Sequence, residues 1–320
     1  MALTYDQVTA ITHDLIKEKL TAGVFSSNAF LMRLREKQVL EDGGNKILCP
    51  LMSVDDTGTQ GAFYSKGDAL SITGYDAVTA SEHEYRLVYE PVRIDKIDIA
   101  KNAGRSGALK LIDSKVRQAE KAMMQRMVKG AVSDGGGSTG ANDTDQFDGL
   151  DLVISTSATY GGIAVADLAT WVGVVDDNSG TNRALTQALV DAAYDNASEP
   201  GIGAPTCAIM RKQVFSKFRG LLTGVQRTTR ESSLSGLGHS GQSIVYNGID
   251  FLVENNMPAN TMFMVDEEHF KLHVHRDNNM RRESIENLET QDALLERIFL
   301  YGNVIASERR FNARINDITE

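Results

Sequence analysis

Residues 106–132 read SGALKLIDSKVRQAEKAMMQRMVKGAV, and this stretch carries the most regular apolar pattern in the chain. Its apolar side chains recur at steps of three and four: Leu109, Ile112, Val116, Ala119, Met123 and Met127. Such spacing predicts a helix with one apolar face. Ser106 is a suitable N-cap, and the glycine run at 135–137 ends the helix. At 1.5 Å per residue the helix is about 40 Å long, which is long enough to act as the spine of a domain.

The chain before this spine helix contains two extended stretches. Residues 46–53 are apolar and strand-like, and residues 82–90 alternate, with His83, Tyr85, Leu87 and Tyr89 on one face. The apolar pattern continues to residue 99, so we predict a second long strand. Pro91 makes it an edge or bulged strand, because proline cannot donate to a ladder.

The polar excursion between the two strands, residues 54–80, is poor in apolar side chains. Its apolar residues are Phe63, Tyr64, Leu70, Ile72 and Tyr75. This is too little to bury a core of its own. We therefore expect another domain or another subunit to cover the excursion.

The two ends of the chain flank these elements. Residues 5–37 read as a helical arm, broken at Gly23 and followed by a short apolar face over 25–34. A Gly/Ser/Asn/Asp-rich linker covers 134–149, and a mixed α/β region follows over 150–285. We predict strands there at 150–154, 206–210, 244–246, 249–253 and 262–265, and a helix at 186–197. The Asn247-Gly248 pair predicts a hairpin turn, and a last strand covers 297–306.

Composition excludes several protein classes. The chain has 320 residues, a net charge of −10 and 42% hydrophobic residues, which are ordinary values for one or two globular domains. No run approaches the roughly 18 apolar residues of a membrane span, and the N-terminus lacks a secretory pattern, so no membrane is expected. Cys49 and Cys207 are too few for a disulfide scaffold, and we expect them to be reduced.

Charge is unevenly distributed. Residues 131–200 contain eleven acids and only Arg183 as a base, whereas residues 211–230 contain six bases and no acid. Opposite charges on different segments favour different partners. The basic segment could bind nucleic acid, but Phe215 and Phe218 have the spacing of a buried helix face. We therefore favour a helix with a basic solvent side that faces acidic groups of a neighbour.

The known catalytic motifs are absent from the sequence: it has no phosphate loop, nucleophile elbow or H-E-x-x-H zinc motif. A G-x-G-x-x-G at 236–241 lacks a preceding strand, so we interpret it as a loop. The aspartates at 143, 145, 148 and 151 do not follow the EF-hand order. The histidines at 13, 83 and 239 have no evident partner. We predict no catalytic residue and no cofactor.

His269, His273 and His275 are the best metal candidates, because a strand over 270–274 would place them on one face. Lys271 on the same face and the adjacent Arg276 oppose a cation there. We therefore interpret the segment as an amphipathic edge strand, with a metal-dependent enzyme as a lesser alternative.

The ordered set of segments resembles a known family over essentially the whole chain. The carriers are YDQV (5–8), SSNAFL (26–31), QFDGL (146–150), YGGI (160–163), YNGIDF (246–251), PANTMF (258–263), HVHRD (273–277) and the closing Gly302, Ser307 and Arg310. In this order they are similar to the major capsid proteins of tailed bacteriophages, which have the Hong Kong 97-type coat fold.

The resemblance implies an α+β fold of this type. Its parts would be an N-terminal arm (1–45), an extended β-hairpin loop (46–95), a peripheral domain (96–149) with the spine helix at 106–132, an axial domain (150–285) and a return strand (286–320). It implies inter-subunit contacts by the extended loop through Phe63, Tyr64, Lys66 and Tyr75. Some relatives join subunits through an isopeptide bond, but no partner for Lys66 can be named from the sequence.

The implied function is a coat protein that self-assembles into hexamers and pentamers of an icosahedral phage head. Its partners would be itself, scaffolding, portal and decoration proteins, and packaged double-stranded DNA held without sequence specificity. It would be located in the virion after assembly in the host bacterial cytoplasm. The alternative with the same fold is the shell protein of a cellular nanocompartment.

Overall fold

The computed structural model describes residues 28–52, 64–69, 78–101, 105–132, 146–168, 170–222, 244–254, 256–283, 286–287 and 292–320. The α-helices are α1 (Ala29–Glu36), α2 (Lys96–Lys101), α3 (Arg105–Val132), α4 (Leu150–Val153), α5 (Gln187–Ala197) and α6 (Lys212–Leu221). A short 3-10 helix covers Arg276–Asn278. None of the helices in these ranges is long and apolar enough to cross a bilayer.

The strands form two larger sheets and one hairpin. They are β1 (Val39–Glu41), β2 (Ile47–Met52), β3 (Val78–His83), β4 (Arg86–Asp95), β5 (Val174–Asp176), β6 (Cys207–Met210), β7 (Ile244–Tyr246), β8 (Ile249–Val253), β9 (Met262–Val265), β10 (Phe270–His275), β11 (Arg281–Arg282), β12 (Glu286–Asn287), β13 (Ala293–Ala306) and β14 (Ala313–Ile315). The predicted strands at 206–210, 244–246, 249–253 and 262–265 are confirmed to within one residue.

The first sheet is organised by the long strand β13. It pairs antiparallel with β4 over ten residues, from Ala293↔Asp95 to Gly302↔Arg86. Within the same stretch of β13 it also pairs with β11 and β12, and its last residues pair with β10. Strand β1 adds to β10 in parallel. Among the described strands β4 pairs only with β13, so Pro91 lies on an edge strand as its missing donor predicts.

The spine helix α3 packs against one face of this sheet. Val116, Ala119, Met123 and Met127 are buried in the main core, together with Val92, Ile298 and Leu300 of the sheet, which confirms the predicted apolar stripe at these four helix positions. The helix begins at Arg105, so Ser106 lies inside it rather than at the N-cap. The side chains of residues 105–113 lie outside the described part.

The second sheet has the order β5-β14-β9-β6-β8-β7. Helices α5 and α6 share a second core with it, in which the ring of Phe218 stacks on Phe251 at 4.3 Å. The Asn247-Gly248 turn joins β7 to β8 as predicted, with both residues at positive φ. The chain end crosses from the first sheet to the second, because β13 is followed by β14.

Two predictions from short apolar patterns are wrong. Residues 150–153 form the helix α4 rather than a strand, with Leu150 and Val153 buried at i and i+3. Residues 97 and 99 lie in α2 rather than in a continued strand, because the ladder with β13 ends at Asp95. Short apolar runs fit either period, so their periodicity alone does not separate helix from strand.

Arg309 organises the irregular segment between α4 and β5. Its side chain has no exposed surface, and it donates five hydrogen bonds to backbone carbonyls. The acceptors are the oxygens of Leu152, Val153, Ser155, Ala158 and Trp171, at 2.7 to 3.3 Å. The guanidinium also lies 5.3 Å from the ring centre of Tyr160. One buried side chain therefore supplies donors to five carbonyls at and after the end of α4.

Asn28 holds α1 in two ways. Its Oδ1 accepts from the backbone N–H groups of Phe30 (2.9 Å) and Leu31 (3.1 Å), and its Nδ2 donates to the buried carboxylate of Glu254. We expect Asn28→Ala to lower the free energy of unfolding by about 2–3 kcal/mol, because it removes a cap and also leaves a buried carboxylate short of a donor. Urea unfolding measures this loss.

Thr186→Ala is the matched control for that variant, because the Thr186 hydroxyl caps α5 by accepting from Leu189 N–H and has no other hydrogen bond among the described residues. A loss of about 1 kcal/mol is expected for it. Equal losses in the two variants would show that the contact with Glu254 contributes nothing.

Candidate functional site

Strands β2 and β3 form an antiparallel hairpin, from Ile47↔His83 to Met52↔Val78, and neither pairs with any other strand that the structure describes. We call this pair the hairpin. Ile47, Cys49 and Leu51 turn one face towards the body and are buried. On the opposite face Leu48 is 61% exposed, beside an ion pair of Lys46 with Glu82. The hairpin thus presents a large apolar side chain to solvent.

Two of the four residues predicted to contact another subunit lie in the described part of the excursion. Tyr64 is 68% exposed, and Lys66 lies in an exposed turn in which Ser65 N–H donates to the Asp68 carboxylate at 2.6 Å. Phe63 and Tyr75 lie outside the described residues. Tyr64 and Lys66 are therefore accessible to a partner.

The base of the hairpin is tied to the body by the carboxylate of Asp148, which is 8% exposed. Its Oδ2 lies 3.1 Å from His83 Nδ1 and accepts from Asn303 Nδ2 at 2.8 Å. Its Oδ1 accepts from Arg86 at 3.3 Å. These contacts join the end of β3, the start of β4, the linker before α4 and the centre of β13. A single buried carboxylate thus connects the hairpin to the first sheet.

Asn303 completes this arrangement from β13. Its Oδ1 accepts from the backbone N–H of Asp148 at 2.9 Å, and its Nδ2 also donates to the carbonyl of Glu84 at 3.0 Å. Glu84 belongs to the two-residue link between β3 and β4. The amide of Asn303 therefore fixes the point at which the chain leaves the hairpin and enters the sheet.

The Asp148 carboxyl is held ionised by these neighbours. Burial raises its pKa, but the hydrogen bond from His83, the positive charge of Arg86 and the amide of Asn303 together outweigh burial, so its pKa lies below the usual value of 3.8. The site therefore contains a negative charge with a cationic partner at neutral pH.

The turn at 160–163 supports the hairpin from its other side. Glu82 N–H donates to the carbonyl of Gly161 at 2.9 Å, and the His83 ring lies 4.8 Å from the ring of Tyr160. Tyr160 is itself fixed, because its hydroxyl accepts from Ala306 N–H at 2.8 Å and its carbonyl accepts from Trp171 Nε1 at 3.2 Å. We call this turn, Asp148 and Asn303 together the seat of the hairpin.

Ser81, His83 and Asp148 stand in the order of a hydrolytic relay. Ser81 Oγ is 3.3 Å from His83 Nε2, and His83 Nδ1 faces Asp148. However, Ser81 has no exposed surface and His83 is 2% exposed, so a substrate has no access to the hydroxyl. The three side chains therefore connect β3 to the body rather than form a reactive site.

The histidines of β10 share one face of the strand as predicted, since the odd-numbered residues 271, 273 and 275 are half-buried between buried apolar neighbours. Each ring has its own partner, however. His269 Nδ1 lies 2.6 Å from Asp266, His273 Nδ1 lies 2.8 Å from Glu41, and His275 Nδ1 accepts from Asp277 N–H. Within the described ranges no three His, Cys, Asp or Glu side chains are grouped to hold a metal ion.

The outer face of the first sheet is aromatic. Leu87 and Tyr89 are 62% and 56% exposed, and the ring of Tyr89 lies 6.4 Å from that of Phe299 on β13. Arg281 stands over Phe299 at 5.6 Å. The sequence pattern predicts Leu87 and Tyr89 on the same face as His83. However, residues 84–85 separate strand β3 from strand β4, and the His83 side chain is buried while those of Leu87 and Tyr89 are exposed.

The basic segment includes α6, whose Phe215 and Phe218 are buried as predicted, together with Val214. Lys212 and Lys217 lie on its exposed side. The remainder of the segment, the glycine motif at 236–241 and the acidic positions 143 and 145 lie outside the described residues. The two cysteines are free and buried, and burial raises the pKa of both thiols.

The SU10 major capsid protein family matches residues 92–302 of the chain, which is well over half of its length. No curated protein sequence matches it. The part of the chain matched by the family includes the spine helix, Asp148, the 160–163 turn and most of β13.

Solved structures show the same fold at low sequence identity. A capsid subunit of cyanophage A-1(L) is similar over 93% of this chain and 94% of its own, with 14% identity and a TM-score of 0.66. A capsid subunit of a native GTA particle covers 92% and 91%, with 13% identity and a TM-score of 0.60. The SrpI encapsulin of Synechococcus elongatus PCC 7942 covers 90% and 87%, with 11% identity and a TM-score of 0.55.

Proposed function

The chain belongs to the family of SU10 major capsid proteins, and from this premise we propose that its copies form the hexamers and pentamers of an icosahedral phage head around double-stranded DNA. It is a coat protein of a tailed phage with the Hong Kong 97-type α+β fold, and it assembles into the shell of the virion. The role is structural.

The observation that carries the finer proposal is the hairpin with its accessible apolar surface. Leu48 on the hairpin and Tyr64 in the excursion between its two strands are both more than 60% exposed, so both offer apolar surface to a partner. Contact with a second copy would bury them. We propose that the extended loop reaches a neighbouring subunit and contacts it through Phe63, Tyr64, Lys66 and Tyr75.

The division into an arm (1–45), an extended loop (46–95), a peripheral domain (96–149 with 286–320) and an axial domain (150–285) is also a proposal. The packing of α5 and α6 supports it, since these helices form a second core with the second sheet that is separate from the core of the spine helix. In this division β14 links the two domains, because it follows β13 and pairs with β9 and β5.

The other partners are proposed from the chemistry of a coat. A chain with a net charge of −10 suits DNA that is confined rather than read, so we expect no sequence-specific contacts. Scaffolding, portal and decoration proteins are the expected protein partners, and the host bacterial cytoplasm is the expected place of assembly. A nanocompartment shell, as in the encapsulin, is the second candidate, with a lower TM-score than the cyanophage capsid.

Velocity sedimentation of the purified chain, with negative-stain imaging of the fast fraction, tests the proposal. We expect closed shells or capsomers for the wild type. We expect Tyr64→Ser to raise the subunit concentration needed for assembly about tenfold, equivalent to about 1.4 kcal/mol per subunit, because it removes an apolar contact between copies. Unfolding of the dissociated subunit should not change, since Tyr64 is exposed there.

Slow sedimentation as a monomer at every salt and protein concentration, even with the scaffolding protein of the same phage present, would overturn the proposal. Shells that form equally well with serine at position 64 would remove Tyr64 from the contact while leaving the coat function in place.

A further inference from the structure

In the described structure the direction in which the hairpin leaves the body depends on its seat and on the packing of Ile47 and Cys49 against Ile305. Neither β2 nor β3 continues into a larger sheet, so no ladder constrains them. The nearest fixed points are the hydrogen bond from Glu82 N–H to Gly161 and the contacts of His83 and Arg86 with Asp148. A small change at these contacts is amplified along the length of the hairpin.

Gly161 is the residue of the 160–163 turn that approaches strand β3 most closely. Its φ is +59°, and a Cβ built on it would lie 2.5 Å from Ser81 Cβ and 2.9 Å from His83 Nε2. Real Cβ atoms do not approach a neighbour so closely, so any side chain here must push β3 away. Ser81 is in the strand itself and cannot move without the backbone. The absence of a side chain at 161 is therefore what lets the hairpin sit against the turn.

The 160–163 turn, which lies opposite β3, is held in place by its own contacts with the body. Tyr160 is held at its hydroxyl by β13 and at its carbonyl by Trp171, and Arg309 lies over its ring. Arg309 in turn bonds to the carbonyls of Ala158 and Trp171. Strain introduced at residue 161 is consequently relieved by moving the hairpin and not by moving the turn.

We propose that the seat positions the hairpin for contact with the neighbouring subunit, with Gly161 and Asp148 as positioning residues for assembly. This inference rests on the proposed function, because it concerns the same hairpin and the same partner, a second copy of the chain. The seat sets the angle between the hairpin and the first sheet. That angle decides whether the exposed side of the hairpin meets its partner at the curvature of a closed shell.

The next residue provides a matched control. Gly162 has a φ of +78°, but a Cβ on it would meet no atom within 4 Å. Gly161→Ala and Gly162→Ala therefore carry the same kind of backbone strain, about 1–2 kcal/mol for alanine at a left-handed position, and differ only in the clash with the hairpin. A larger effect of Gly161→Ala than of Gly162→Ala on assembly therefore measures the contribution of the contact between the hairpin and its seat.

The test compares both variants with the wild type by sedimentation, imaging of shell diameters and hydrogen exchange of the β2 and β3 amides. For Gly161→Ala we expect at least a tenfold rise in the concentration needed for assembly, a broad distribution of shell diameters and faster exchange confined to the hairpin. Gly162→Ala should give shells of wild-type diameter. Uniformly faster exchange would instead mean general destabilisation and would overturn the inference.

A second pair of variants covers the case in which Gly161→Ala does not fold. Asp148→Asn removes the charge that holds His83 and Arg86, while Asp266→Asn removes a buried carboxylate with a histidine partner, His269, away from the hairpin. We expect broadened shell diameters only for the first. Wild-type shells with no difference within either pair would refute the positioning role and leave the coat function intact, whereas failure of the wild type itself to assemble would refute the coat function.

Discussion

Arg309→Met is expected to destabilise the folded subunit by at least about 4 kcal/mol, which is a large share of the 5–15 kcal/mol that holds a typical domain together. Methionine fills a similar volume but donates no hydrogen bond. The buried carbonyls of residues 152–171 that Arg309 now satisfies would lose their donors, at about 1–3 kcal/mol for each group left unpaired. Burial lowers the pKa of Arg309 to about 10, so the guanidinium remains charged at neutral pH.

Chemical denaturation of the dissociated subunit measures this loss, and the neighbouring arginine provides the control. Arg310 has a side chain 40% exposed and pairs with Glu199 at 2.9 Å on the surface. Arg310→Met should cost less than about 1 kcal/mol, as surface ion pairs do. Similar losses for the two variants would contradict the role assigned to Arg309.

Asp148→Asn is expected to lower the free energy of unfolding by about 3 kcal/mol at pH 7, because it leaves Arg86 without its buried counter-charge and weakens the contact with His83. The loss should depend on pH in a defined direction. The pKa of the carboxyl is lower in the folded chain than its usual 3.8, so its contribution is fully present above that value and disappears as the pH falls through the folded pKa.

The difference in stability between wild type and Asp148→Asn should therefore shrink as the pH falls below about 4. Urea unfolding at pH 7, 5, 4 and 3 measures it, with Asp266→Asn as a second buried carboxylate for comparison. A difference that stays constant over this range would show that the charge of Asp148 does not stabilise the fold.

Much of the fold follows from local patterns. The spacing of apolar residues over 106–132 predicts the spine helix, and burial of Val116, Ala119, Met123 and Met127 confirms it. The prediction is possible because the residues that form one face of a helix all lie in one contiguous segment. The Asn247-Gly248 turn is equally local, since the positive φ of both residues decides it. The shortage of apolar residues in the excursion predicts that another domain or subunit covers it, and this stays a prediction.

Short apolar runs were the weak point of the sequence analysis. Residues 150–153 form a helix because Leu150 and Val153 both turn into the core beside the spine, a fact that depends on neighbours distant in the chain. The alternation also predicts Leu87 and Tyr89 on the same face as His83, which is wrong. The two residues that separate β3 from β4 change which face is buried, and no local feature of the sequence marks this separation.

The contacts between buried polar groups could not be predicted from the sequence. Asp148 and Gly161 lie within the QFDGL and YGGI segments that carried the family resemblance, yet nothing in those segments shows what the two residues contact. His83 lacked an evident partner because its partner is 65 residues away. Arg309 was unremarkable among the 33 basic residues of the chain, and only the enclosed loop of carbonyls around it gives it a role.

The sequence by itself determined the spine helix, the Asn247-Gly248 turn and the family, because helix periodicity, turn chemistry and the order of segments are properties of residues close together along the chain. Only the tertiary structure decided how the hairpin is seated. That seat joins β3, the linker before α4, the 160–163 turn and β13, and its strength comes from pairing buried polar groups that would each be costly alone. Such pairing depends on positions in space that contiguous patterns do not encode.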